Sequence, residues 1–160
     1  MGRSVFTGVV AISALVAAMS LPAWAQTSVD FSENAQATVI VDGAEYSFGG
    51  DCMLMGRNGA NQLRMSIPGT GPDGAHLFLV LFATSFAPSQ FTIYSGADPE
   101  AAQEASVNDD RSAWLLRGGG GPAGVEFSAG SITADMAAAV YSNGEKADGD
   151  ASVQLDVTGC

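Results

Sequence analysis

Histidine is almost missing from this chain, and positive charge is scarce. One histidine, His76, and six basic residues stand against seventeen acidic ones in 160 residues. Nucleophilic hydrolysis needs a base beside its nucleophile. His76 opens a strongly apolar segment and no G-x-S-x-G sequence accompanies it, so it reads as a strand-end histidine rather than a catalytic base. With one histidine and no C-x-x-C, the two cysteines lack the partners of a metal centre or a redox pair. The Gly118–Gly121 run lacks the Lys-Ser/Thr ending of a phosphate loop and reads as a flexible turn. Asp109-Asp110 and Asp148-Gly149-Asp150 do not form an EF-hand loop, and acids beside glycine are common turn residues. The residues therefore name no catalytic group, metal or cofactor. The acidic surface disfavours nucleic acid and anionic lipid as partners.

Long apolar runs are confined to the beginning. Arg3, the apolar stretch Val5–Leu21, and Pro22-Ala23-Trp24-Ala25 with its small-x-small ending have the form of a cleaved signal peptide. Cleavage after Ala25 leaves 135 residues, the size of one domain, with five basic side chains against seventeen acidic ones and a net charge of −12. No later run approaches membrane length, so no span is expected after cleavage. The expected location is periplasmic or secreted. Two cysteines in an oxidising compartment allow a single pairing, Cys52 with Cys160, which ties the last residue to an early strand.

What the chain has in quantity is short alternating segments broken by turn residues. Ala37–Val41 meets Asp42-Gly43 and continues into Glu45–Met53. Leu63, Met65 and Ile67 alternate with Gln62, Arg64 and Ser66, and Val153, Leu155 and Val157 alternate with Gln154 and Asp156. Residues 75–84 and 90–94, Ser112–Arg117 and Val125–Ser128 add further strands, while Ile132–Val140 suits either helix or strand. Pro99–Val107 is the one helical segment, with Asp98 as N-cap and Pro99 at the first helical position. The expected fold is all-β, an antiparallel two-sheet sandwich with one short helix, closed by the disulfide. Its expected parts are the signal at 1–25, a flexible N-terminal segment at 26–36, and the sandwich at 37–160.

Val39-Ile40-Val41-Asp42-Gly43 leading to Cys52, the segment Ser131–Met136, and the closing Val153–Cys160 resemble the small mycobacterial lipoprotein-antigen family. The resemblance implies a compact β domain closed by Cys52–Cys160, displayed at the cell envelope, without known enzymatic chemistry. That family is anchored through an acylated N-terminal cysteine, which this chain lacks.

Leu77–Phe82 is apolar on both of its strand faces. An open sandwich leaves one face wet, so Phe78, Val80 and Phe82, or else Leu77, Leu79 and Leu81, require a second cover, from the 99–107 helix, from the loop with Phe86 and Pro88, or from a partner. Phe78, Val80, Phe82 and Trp114 are accordingly the candidate binding residues. The expected function is that of a non-enzymatic envelope protein, antigen-like or adhesion-like, acting on an unknown envelope partner. The alternative is a carrier of a small apolar ligand in a pocket beside residues 75–84.

Overall fold

Turn chemistry sets the hairpins of the computed structural model, which describes residues 27–57, 60–85, 89–120, 125–128 and 131–160. The proposed signal peptide lies outside them. Strand β1 (Thr27–Val41) turns into β2 (Ala44–Arg57) through Asp42 and Gly43, at φ 48° and 86°. The same two-residue geometry, Asn143 and Gly144 at φ 50° and 81°, joins β8 (Ser131–Ser142) to β9 (Glu145–Thr158). Two successive left-handed residues match the twist of the flanking strands, and Asx-Gly pairs adopt them at least cost. Between these hairpins run β3 (Ala60–Thr70), β4 (His76–Thr84), β5 (Ser89–Gly96), helix α1 (Pro99–Asn108), β6 (Leu115–Gly120) and β7 (Val125–Ser128).

The strands pair antiparallel in the order β6-β5-β4-β3-β2-β1-β9-β8, and β6 also pairs with β8. That last pairing closes an eight-stranded barrel, with β7 added on β8. The expected two-sheet sandwich is thus corrected to a closed barrel; the all-β class, the single helix and the disulfide hold. Alternation along a strand shows which side chains share a face but not whether the sheet's ends meet. Closure depends on β6 reaching β8, across segments rich in glycine and alanine.

At this seam β6 follows β8 from Leu115↔Tyr141 to Gly118↔Ala138, and β7 rejoins it from Val125↔Ala134 to Ser128↔Ser131. On its other side β6 pairs with β5 along its whole length, from Tyr94↔Leu115 to Ser89↔Gly120. Small residues here make room for a large neighbour: a Cβ on Gly118 would lie 2.3 Å from Phe91 Cε1 and 3.0 Å from the Ala138 Cβ. The segment left open between helix and strand, residues 132–140, lies within β8.

The barrel interior is filled. Val39, Phe48, Met65, Leu79, Phe91, Leu116, Met136 and Val153, one from each barrel strand, belong to a single buried cluster. Thr133, Asp135, Gln154 and Asp156 face outward and are exposed. On β8 and β9 this polar outer face is the reverse of a membrane barrel's wall, whose apolar band faces the lipid. No helix among the described residues is long and apolar enough to cross a membrane.

Both ends of the barrel are tied. Tyr46 on β2 stacks on Trp114, just before β6, with ring centroids 5.5 Å apart. These strands lie opposite each other in the ring, so the pair crosses one mouth. Toward the other end, Cys52 bonds Cys160, with Cα atoms 5.9 Å apart. The tail reaches it by turning at Gly159, φ 74°, where a Cβ would lie 3.0 Å from the Asn34 carbonyl oxygen.

Residues 27–36, expected as a flexible lead-in, form the first part of β1 and pair with β2 from Thr27↔Arg57 onward. A register shift between Ser32 and Ala35 marks a bulge there. Short polar residues interspersed with Val29 and Phe31 concealed that strand from a reading based on apolar density.

Candidate functional site

Helix α1 covers part of the outer face of β4 and β5, and local sequence explains its position. Asp98 accepts the Ala101 N–H at 2.8 Å, and Pro99 opens the first turn without needing a donor of its own. Close approach to the sheet depends on small residues. Ala102 and Ala105 are buried on the helix, and a Cβ on Gly96 would lie 2.2 Å from the Ala102 nitrogen. Phe78, Tyr94 and Leu115 stand in register on adjacent strands and are all buried, although they lie outside the interior cluster. They form a second, outer core beneath the helix.

Polar contacts fasten the helix at its C-terminal end. Asp109 sits in the left-handed region at φ 46°, and Asp110 N–H donates to Ala105 O at 2.8 Å. The Tyr94 hydroxyl donates to Asp109 Oδ1 at 2.8 Å, Arg117 to the same oxygen at 2.7 Å, and Arg111 to Oδ2 at 3.3 Å. The Tyr94 hydrogen bond, with the two guanidinium groups, holds the Asp109 carboxyl below its ordinary pKa. Burial, then the bond to Asp109, pushes the Tyr94 hydroxyl upward. The Asp109-Asp110 pair thus caps the helix and anchors it to the sheet.

The four sequence-selected residues do not form one site. Phe78 lies in the outer core, while Trp114 is half-buried in the mouth-spanning stack. Val80 and Phe82 continue along the outer face of β4 and are half-buried. Phe86 and Pro88, the other suggested cover, lie outside the described residues.

Strand register extends that outer face to the edge of β1. Phe31, Met53, Arg64 and Phe82 are successive cross-strand partners on β1 to β4, and Val29 pairs with Met55 one row away. Adjacent strands are about 4.8 Å apart, so the Phe31-to-Phe82 row spans about 14 Å. The Arg64 guanidinium lies over the Phe82 ring, 5.3 Å from its centroid. Met53 and Met55 are half-buried, but Val29 is 45% and Phe31 76% exposed. Methionine and phenylalanine side by side make an adaptable apolar surface. Sequence reasoning missed Val29, Phe31, Met53 and Met55. Their alternate spacing was the available signal, but only the pairing of β1 with β2 places them together.

Two grooves lie elsewhere on the outer wall. One of about 490 Å³ lies over β7, β8, β9 and β1, with Glu126, Asp135 and Asp156 among its lining residues. Another of about 670 Å³ lies beside the β6–β8 seam, lined in part by Arg117, Lys146 and Asp150. Both cations already have carboxylate partners, Arg117 with Asp109 and Lys146 with Asp150 at 3.1 Å. Among the described residues no group of three His, Cys, Asp or Glu side chains is arranged to hold a metal. His76 is half-buried at the start of β4, paired across the strands with Thr70 and Gly96.

Comparisons with protein-family models, curated proteins and solved structures give no match for this chain. Its own geometry defines a disulfide-tied, eight-stranded β-barrel with a filled interior and an apolar stripe on its outer wall.

Proposed function

We propose that this chain is an exported envelope protein, periplasmic or secreted, that acts by binding a protein partner rather than by catalysis. The binding surface in this reading is the outer face formed by Val29, Phe31, Met53, Met55 and Phe82. The carrying observation is the exposure of Phe31 at the end of a cross-strand row that continues through Met53 and Arg64 to Phe82. Solvent contact with such side chains has a free-energy cost that a partner removes. The filled interior and the helix over Phe78 favour this surface over a ligand pocket beside residues 75–84. Export rests on the signal-like first 25 residues, and the Cys52–Cys160 bond is consistent with an oxidising destination. Envelope placement also agrees with the family resemblance at the two ends of the domain.

A photo-crosslinking amino acid at Met53, in protein exported by its own cells, tests the proposal. A discrete protein adduct is expected from position 53 and none from Thr133, which is exposed on β8. Phe82→Asp is expected to weaken the adduct while leaving the disulfide and circular dichroism intact. Absence of an adduct from position 53 would remove this face as the site.

A further inference from the structure

The apolar row ends at a strand edge, which defines a mode of binding as well as a place. This deeper reading rests on the outer face being the binding surface. β9 pairs with β1 only from Gln36 to Val41. Among the described residues, Thr27–Ser32 therefore has a strand neighbour on one side alone, β2. Alternate residues of an antiparallel strand point their N–H and C=O groups away from a given partner, so this stretch presents a template for another strand.

Side-chain chemistry at the edge selects what is added. Val29 and Phe31 share the outer face, while Asp30 between them points to the opposite face. Glu33 follows in the bulge, and Asp51 lies on β2 two residues before Met53. All three acids are exposed and belong to none of the ion pairs among the described residues. Arg64, the cation of this face, is two strands inward over Phe82. A second copy would bring the same acids to the edge, together with the strong net negative charge of the whole chain. Like charges directly opposed across strands are destabilising.

We infer that the Thr27–Ser32 edge of β1 takes up an extended segment of another protein in which apolar residues alternate with lysine or arginine. The segment adds as a strand beside β1. Its apolar side chains extend the Phe31–Met53 row, and its cations on the alternate face meet Asp30, with Glu33 nearby. Backbone hydrogen bonds supply attachment, and alternation supplies selectivity.

A ten-residue peptide alternating lysine with valine and phenylalanine serves as the probe, titrated onto the exported full-length protein. Binding that weakens at high salt is expected. Methylating the backbone nitrogens on the peptide edge that faces β1 is expected to weaken it about tenfold or more, through lost hydrogen bonds. Phe31→Ser is expected to weaken it about fivefold, as loss of an aromatic contact does. Equal affinity for the methylated peptide, or for one with glutamate in place of lysine, overturns the inference. So does a dimer in sedimentation that Phe31→Ser dissolves, because the edge then belongs to a second copy. Adducts from position 53 with equal affinity for the methylated peptide would retain the binding face and reject strand addition. Absence of those adducts would reject the face itself.

Discussion

Reducing the Cys52–Cys160 bond is expected to remove about a third or more of the stability of a domain this size, while leaving its folded shape nearly unchanged. The bond closes a loop with a sequence separation of 108 residues. In the chain-entropy model, a loop of that length restricts the unfolded ensemble by about 16 cal/mol/K, or about 4.8 kcal/mol at room temperature. Domains commonly retain only about 5–15 kcal/mol in total. With a urea slope of about 2 kcal/mol/M, the midpoint should fall by about 2.4 M, and the melting temperature by roughly 15–20 °C. The folded state should tolerate the loss, since β9 remains between β1 and β8 with its ladders intact. Urea unfolding of the wild-type chain, oxidised and then held reduced throughout, makes the comparison without changing a side chain. Near-ultraviolet circular dichroism of the two forms in water should agree. A midpoint difference below about 0.5 M would refute the loop-entropy account, because the predicted change is several times larger. A large loss of native signal on reduction would instead show that the bond holds the folded barrel together.

Other parts of the structure lead to separate expectations. Asp109→Asn keeps a residue that accepts the left-handed region but removes the carboxylate charge. Asp109 has a lowered folded-state pKa, so its contribution is present above its unfolded pKa, about 4, and fades as pH falls through the folded value. The variant should therefore lose stability at neutral pH, by less than about 1 kcal/mol for this half-exposed group, and show a flatter decline in acid. An unchanged acid limb in urea melts would contradict the assignment. Tyr94 acts with the opposite sign: its raised pKa gives stability present below about pH 10 that is lost as pH rises through the folded value, so Tyr94→Phe should flatten the alkaline limb. Gly96→Ala places a methyl against helix backbone that cannot yield locally, and should cost about 1–3 kcal/mol by calorimetry. A double-mutant cycle on Tyr46 and Trp114 should return a coupling of about 0.5–1.5 kcal/mol; simple additivity would deny the stack an energetic role.

Most of the strands and the helix were legible because each has a local cause; residues 27–36 and 132–140 were not. Asp42-Gly43 specifies a two-residue turn, Leu63-x-Met65-x-Ile67 specifies a half-buried strand, and Asp98-Pro99 specifies the start of a helix. Barrel closure was not legible, since it depends on Gly118 lying opposite Ala138 and leaving room for Phe91. The apolar character of β4 on both faces was correctly informative, but its outer side serves two purposes. Phe78 is covered by α1, whereas Phe82 remains part of the outer wall. Trp114, named beside Phe78, Val80 and Phe82, instead stacks on Tyr46, which is 68 positions away in sequence and across the barrel.

A filled barrel and an adaptable outer face divide stability from recognition, and that division can be tested directly. Phe31 is 76% exposed, so Phe31→Ser should change unfolding stability by no more than about 0.5 kcal/mol. Leu79 is fully buried in the central strand region, and Leu79→Ala should cost about 2–5 kcal/mol through lost contacts and a residual cavity. If Phe31 serves binding, its substitution should reduce capture of the cationic–apolar peptide without moving the urea midpoint. Leu79→Ala should do the reverse at temperatures where the barrel remains folded. A stability loss at Phe31 comparable to that at Leu79 would mean that the β1 edge is packed in the free protein, leaving it unable to receive another strand.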